Sequence, residues 1–156
     1  MQTNSNPLPL ADNAEHAHPG SVADPTRITV PKIRTMVERF YAGIRDDELL
    51  GPIFTGRVQD WDAHLDTMTR FWSSATLRTG TYAGRPIEAH RFAEPGLLTP
   101  EHFVRWVLAF SRTAREVFAQ QDAAVFVGLA RRMAISISVR LGVRGVERRL
   151  DESPAH

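Results

Sequence analysis

The sequence predicts an all-α fold with four main helices. Apolar residues recur at helical spacing in four separate stretches, and no stretch alternates apolar and polar residues as a half-buried strand would. Capping residues and prolines stand where the stretches begin, and glycines follow where they end. With 156 residues, the chain is long enough for one domain with a substantial core. We expect that domain to cover residues 29–142.

The first two helices are predicted on either side of a short turn. Helix one follows Pro31 and ends near Asp46, with one apolar face formed by Ile33, Met36, Val37, Phe40, Tyr41 and Ile44. The stretch 51–54, Gly-Pro-Ile-Phe, is expected to be a turn. Helix two opens at the N-cap Asp60, ends before Gly80, and has an inner stripe of Trp61, His64, Leu65, Met68, Phe71, Trp72 and Ala75.

The third and fourth helices complete the predicted core. Thr99, Pro100 and Glu101 supply a cap, a first-turn proline and a first-turn acid, and the inner face that follows comprises Phe103, Trp106, Val107, Phe110, Ala114, Val117 and Phe118. Helix four is expected from about Asp122 to about Leu141, with Val125, Leu129, Met133 and Ile137 inside. The glycines at 80 and 84 predict a weakly structured segment before His90.

Two tails are expected outside the domain. Residues 1–28 have no apolar period and predict a mobile tail, and residues 143–156 predict a polar tail. His16 and His18 form an H-x-H pair that could hold a metal weakly, but a solvated tail is the more ordinary interpretation.

Bulk composition excludes several kinds of site. The chain has no cysteine, so disulfides, iron–sulfur clusters and thiolate-bound haem are excluded. A formal net charge of +1 gives no electrostatic case for nucleic acid or membrane partners. No stretch has the roughly 18 apolar residues that a spanning helix needs. We therefore expect a soluble, cytoplasmic protein.

Two histidines suggest a haem pocket. His64 lies within an apolar stripe, where a polar group needs a partner or a cavity. A haem iron takes one neutral imidazole as its fifth ligand, and polar groups opposite govern the sixth position. His90 could be that ligand. His64, Tyr41 and Trp106 could donate hydrogen bonds on the open face, because all three lie on inward helical faces.

The periodicity alone leaves other interpretations open. A histidine on an inner helical face is more often a satisfied core residue than a ligand, and tyrosine and tryptophan are ordinary core residues. The chain could be a haem-free helical sensor or interaction domain with pH-responsive histidines. A non-haem metal site using His64 and His90 is less favoured, because no carboxylate stands at a convincing spacing from both.

Several short stretches narrow these alternatives when taken in order. They are Phe40-Tyr41, Leu50-Gly51-Pro52-Ile53-Phe54, Asp60-Trp61-Asp62-Ala63-His64, Phe71-Trp72, Gly80-Thr81-Tyr82-Ala83-Gly84-Arg85-Pro86, Ala89-His90 and Phe103-Val104-Arg105-Trp106. From Phe40 to Leu141 the chain resembles the group III truncated haemoglobins. The resemblance implies a globin-like, two-over-two helical sandwich with a loop before the proximal histidine.

The resemblance also implies roles for individual residues. His90 corresponds to the proximal iron ligand of haem b (iron protoporphyrin IX), and Tyr41, His64 and Trp106 correspond to the polar distal residues. Cofactor contacts are implied for Phe54, Leu65, Met68, Phe71, Trp72 and Trp106. Candidates for the haem propionates, chosen by their nearness in the sequence, are Tyr82, Arg91, Arg85 and Arg78, although the arginines could equally be solvated surface residues.

The implied function is binding of small ligands at histidine-ligated iron. Dioxygen, carbon monoxide, nitric oxide and peroxide are the expected ligands. Firm retention of oxygen would suit redox work, such as a nitric oxide dioxygenase-like or peroxidase-like activity with an unidentified reductase, better than bulk oxygen transport.

Overall fold

The computed structural model describes residues 27–80, 82 and 96–153, which form six helices with no strand among them. The helices are α1 (Val30–Asp46), α2 (Gly51–Thr55), α3 (Trp61–Leu77), α4 (Pro100–Val117), α5 (Gln120–Arg140) and α6 (Val146–Glu152). The expected all-α class is confirmed. Residues 1–26 of the predicted tail over 1–28, residue 81, the segment 83–95 that carries His90, and residues 154–156 lie outside the described residues.

The helix starts follow the capping chemistry of the sequence. The Thr29 side chain accepts the Lys32 backbone N–H at 3.3 Å, and Pro31 lies in the first turn of α1. The Asp60 side chain accepts the Ala63 N–H at 3.1 Å at the start of α3, as predicted. Each bond satisfies a backbone donor that has no partner within the helix.

Two pairs of helices form the sandwich. Helix α1 packs on α3, α4 packs on α5, and contact between α1 and α4 joins the pairs. The predicted apolar face of α1 is buried in full, comprising Ile33, Met36, Val37, Phe40, Tyr41 and Ile44. Burying a large apolar side chain contributes roughly 1.5–3 kcal/mol, so this face is a major source of stability.

The buried face of α5 differs from the prediction. Val125 is 45% exposed, whereas the predicted Ile137 is buried. The core face consists mainly of Ala123, Phe126, Ala130, Ala134 and Ile137, with Leu129 and Met133 partly buried beside it. Alanines let two helices approach closely, but their weak hydrophobicity hides them when a stripe is traced through larger residues.

The predicted turn at 51–54 is a short helix, α2. Gly51 is required at its start, because a Cβ there would stand 2.8 Å from the Arg45 carbonyl oxygen at the end of α1. This close approach tucks the preceding Leu50 into the core. Helix α2 thereby holds Phe54 against Tyr41 of α1, with ring centroids 5.7 Å apart.

The predicted polar tail over 143–156 contains helix α6, which corrects that expectation. Val146 and Leu150 are buried, and they pack with Phe103, Val107 and Ile137 in a second core cluster. Only two apolar residues in a seven-residue helix carry this contact. Such a helix has too weak a pattern to predict, and tertiary packing stabilises it.

Asp47 joins the α1–α2 corner to α4. Its Oδ1 accepts the backbone N–H groups of Leu49 and Leu50 at 2.9 Å each, and its Oδ2 accepts Arg105 Nε at 2.9 Å. Burial alone would raise the pKa of the Asp47 carboxyl. The hydrogen bonds from Leu50, Arg105 and Leu49 outweigh that effect, so the pKa is lowered.

We expect Asp47→Asn to destabilise the protein by about 1 kcal/mol at neutral pH, with the exposed Asp46→Asn as control. Because the pKa of Asp47 is lower in the folded chain, its contribution is present above about pH 4 and is lost as pH falls through the folded pKa. Urea unfolding at several pH values checks this. A stability gap between wild type and Asp47→Asn that does not narrow in acid would contradict it.

Candidate functional site

A cavity of ≈ 320 Å³ lies between the two helix pairs. Such a volume falls at the lower end of the range for small-molecule sites, about 300–1,000 Å³. Among the described residues its lining is mostly apolar, and comprises Tyr41, Leu50, Ile53, Phe54, Arg57, Val58, His64, Met68, Phe71, Tyr82, Leu98, His102, Phe103, Trp106, Met133, Ala134 and Ile137.

The predicted distal trio meets at this cavity. Tyr41 comes from α1, His64 from α3 and Trp106 from α4. The Tyr41 and His64 ring centroids are 4.8 Å apart. The Trp106 ring stacks on Phe110 at 5.5 Å, with an interplanar angle of 11°. Three side chains with polar groups, one from each of three helices, therefore line one mostly apolar cavity, and ring contacts hold them in place.

His64 carries the clearest sign of an unmet interaction. Its Nε2 is buried and has no hydrogen-bond partner among the described residues. Burial lowers the pKa of the imidazole, so the ring is neutral at physiological pH. A neutral ring has one N–H and one bare nitrogen. His64 therefore combines a place in the cavity wall with a ring nitrogen whose hydrogen-bonding capacity is unmet.

Tyr41 is held as a hydrogen-bond donor. The side chain is 5% exposed, and burial raises the pKa of its phenol well above the ordinary value. Its ring packs against Phe40 at 4.9 Å and against Phe54 at 5.7 Å. The hydroxyl consequently stays protonated and can donate a hydrogen bond.

We expect His64→Leu to raise the free energy of unfolding of the haem-free chain by about 1 kcal/mol. An unsatisfied buried polar atom costs about 1–3 kcal/mol, which exceeds the partial loss of ring packing against Tyr41. Chemical unfolding measures the change. His102→Leu is the matched control and should destabilise by about 1 kcal/mol, because it removes a hydrogen bond to Thr99. Loss of stability in His64→Leu would contradict the expectation.

The other predicted cofactor contacts divide into two groups. Phe54, Met68, Phe71 and Tyr82 line the cavity, and the Phe71 and Tyr82 centroids are 5.1 Å apart. Leu65 and Trp72 are not among the lining residues. Leu65 packs against the core, and Trp72 is buried, stacked on Phe110 at 4.6 Å.

The predicted iron ligand and most of the predicted propionate partners are not among the described residues. His90, Arg91 and Arg85 all lie outside them. Arg78 is exposed at the end of α3, with a positive φ of 56°, and it does not line the cavity. Arg57 follows α2 and does line it, which the sequence did not indicate.

His102 is the lining residue that the sequence analysis missed. It lies in the first turn of α4, where its Nδ1 accepts the Thr99 backbone N–H at 3.0 Å. Since Nδ1 is an acceptor, the neutral ring carries its proton on Nε2. The cap signature of Thr99, Pro100 and Glu101 was visible in the sequence, but a histidine at this position has no helical pattern to mark it as cavity-facing.

Within residues 27–80, 82 and 96–153, no three histidine or acidic side chains cluster as they would around a metal ion. No helix in that part of the chain has the length and apolarity needed to cross a bilayer.

The fold is that of a truncated globin, in which two helix pairs enclose an apolar cavity whose wall includes several polar side chains. The structure resembles the crystal structure of the group III truncated hemoglobin from Campylobacter jejuni, with a TM-score of 0.69 and 27% identity over 74% of this chain and 92% of that chain.

The sequence comparison agrees with the fold. The chain is 28% identical over 111 residues to the group 3 truncated hemoglobin ctb of Campylobacter jejuni, covering 69% of this chain and 86% of that protein. No protein-family model matches the chain. The resemblance to the group III truncated haemoglobins is thus confirmed in both sequence and fold.

Proposed function

We propose that the chain is a haem protein that binds dioxygen or another diatomic ligand in the cavity between the helix pairs. The observation that carries this proposal is the buried, unpartnered Nε2 of His64. The His64 residue lines an apolar cavity together with Tyr41 and Trp106. If the residue served only to pack the core, its unpartnered buried nitrogen would lower the stability of the fold with nothing to offset that cost.

The residues present fit a haem. Phe54, Met68 and Phe71 supply apolar and aromatic surface on one side of the cavity, and Met133 and Ile137 supply apolar surface from α5. A flat apolar ring is well matched to such walls. His90 would be the iron ligand, as the resemblance to group III implies.

The carboxylates of the cofactor need polar or charged partners near the cavity rim. Arg57 and Tyr82 both line the cavity. A guanidinium binds carboxylates through paired hydrogen bonds. Arg57 therefore joins Tyr82 and Arg91 as a candidate partner.

Haem, when bound, would supply an iron centre with one position open to dioxygen, carbon monoxide, nitric oxide or peroxide. The chain supplies the donors around that position. Tyr41 keeps its phenolic proton because burial raises its pKa, and the indole N–H of Trp106 is always a donor. The neutral His64 ring can donate or accept, according to its tautomer.

Several donors facing one ligand favour retention over release. A hydrogen bond to a charged group contributes roughly 1.5–3 kcal/mol, which slows dissociation on the order of tenfold to a hundredfold. Slow release is poorly suited to bulk oxygen delivery. We therefore favour redox conversion of nitric oxide or peroxide, with electrons from a separate reductase.

Reconstitution with haemin tests the proposal. We expect the purified chain to bind haemin in a one-to-one ratio and to develop a sharp absorption band near the violet edge of the visible spectrum. A haem-free helical sensor domain, the second class considered above, would show no saturable band. That result would overturn the proposed function.

A further inference from the structure

Trp61 packs against His64 from outside the cavity. The two ring centroids are 5.7 Å apart, with an interplanar angle of 86°. His64 lines the cavity, whereas Trp61 is not among its lining residues. The Tyr41 ring lies 4.8 Å from His64 and 5.9 Å from Trp61. The three rings therefore form a compact triangle in which the imidazole contacts both Tyr41 and Trp61.

Arg45 holds Trp61 in turn. Its guanidinium carbon stands 4.5 Å from the centroid of the indole ring, within the range of a cation–π contact. Arg45 follows Tyr41 by four residues on α1, and Trp61 precedes His64 by three residues on α3. Both spacings put the two members of each pair on one helix face. The four side chains thus form one cluster that spans α1 and α3.

We propose that Trp61, held against α1 by Arg45, is the positioning residue that keeps the His64 imidazole directed into the cavity. This proposal deepens the proposed function, because an inward imidazole controls the space where a diatomic ligand would bind. His64 can leave the cavity only by rotating about its side-chain bonds, and the indole occupies the adjacent volume. The first turn of α3 therefore sets how often the cavity opens.

The kinetic test uses the haem-loaded chain and carbon monoxide recombination after photolysis. We expect Trp61→Leu to speed bimolecular association about fivefold or more, and Arg45→Gln about two- to fivefold, as loss of an exposed cation–π contact implies. Arg39→Gln is the matched control, because Arg39 is an exposed arginine on the same helix. Unchanged association in both Trp61→Leu and Arg45→Gln would overturn the proposal.

A double substitution separates positioning from general packing. Trp61→Leu should have no further effect on association once His64 has been replaced by leucine, because no imidazole is left to position. If Trp61→Leu changes the rate by the same factor in both backgrounds, the indole acts on the cavity directly, and the proposal fails.

A second readout needs no haem. Burial lowers the pKa of His64. In the haem-free full-length chain, NMR titration of the imidazole should show this pKa rising toward its ordinary value in Trp61→Leu and in Arg45→Gln, but not in Arg39→Gln. A pKa unmoved by both variants would contradict the positioning role. Because this measurement is independent of the cofactor, a chain that binds no haem would overturn the proposed function and leave this result readable.

Discussion

Replacing His90 with alanine is expected to abolish tight haem binding. The iron of a histidine-ligated haem depends on one imidazole for its protein bond. Loss of a group that only hydrogen-bonds a metal ligand lowers metal affinity by about 10–100-fold, so loss of the ligand itself should lower it by more than about a hundredfold. Haemin titration followed by absorption measures the change, and added imidazole should restore the band in His90→Ala.

The matched control is His102→Gln. His102 is another histidine in the cavity wall, and only its Nε2 is free to face a ligand, because Nδ1 accepts the Thr99 N–H. Glutamine at this third helical position can keep the reciprocal cap with Thr99. We expect His102→Gln to bind haem normally. If His102→Gln loses the band while His90→Ala keeps it, the iron ligand is His102.

Tyr41→Phe should raise the oxygen dissociation rate about tenfold to a hundredfold. The substitution removes one hydroxyl and leaves the ring, so packing against Phe40, Phe54 and His64 remains. The loss is therefore confined to a donor that burial keeps protonated. Stopped-flow displacement of oxygen by carbon monoxide measures the rate. Trp106→Phe should act in the same direction, because it removes the N–H donor of another residue that lines the same cavity.

The sequence provides a close control for Tyr41→Phe. The chain has two tyrosines, and Tyr82 also lines the cavity, but it packs against Phe71 and not against His64. Tyr82→Phe should leave oxygen dissociation nearly unchanged. Equal oxygen dissociation rates in wild type, Tyr41→Phe and Trp106→Phe would show that neither residue retains the bound oxygen.

The sequence predicted most of the helices because their signals are local. Capping residues predicted the starts at Asp60 and Thr99, Pro31 marked the start of α1, and the large apolar stripe of α1 is buried as expected. The inner face of α5 was misplaced at Val125, because alanines carry the close contact. Helices α2 and α6 depend on Gly51 and on two buried residues, and these contacts exist only in the folded chain.

The candidate site was predicted in part for a similar reason. Tyr41, His64 and Trp106 lie on inward faces that periodicity reveals, and the structure brings them to one cavity. His102 and Arg57 were missed, because each lies at the edge of a helix where no period shows which way a side chain points. The interpretation of His90 as the iron ligand depends on the resemblance to group III and stays a prediction.

The most direct test of the haem proposal is the absorption spectrum of the reduced, haemin-reconstituted chain with and without carbon monoxide. Our account predicts a sharp violet band that shifts and intensifies on adding the gas, as expected for an imidazole-ligated iron with an accessible sixth position. A spectrum that carbon monoxide leaves unchanged, or that matches free haem under the same conditions, would contradict it.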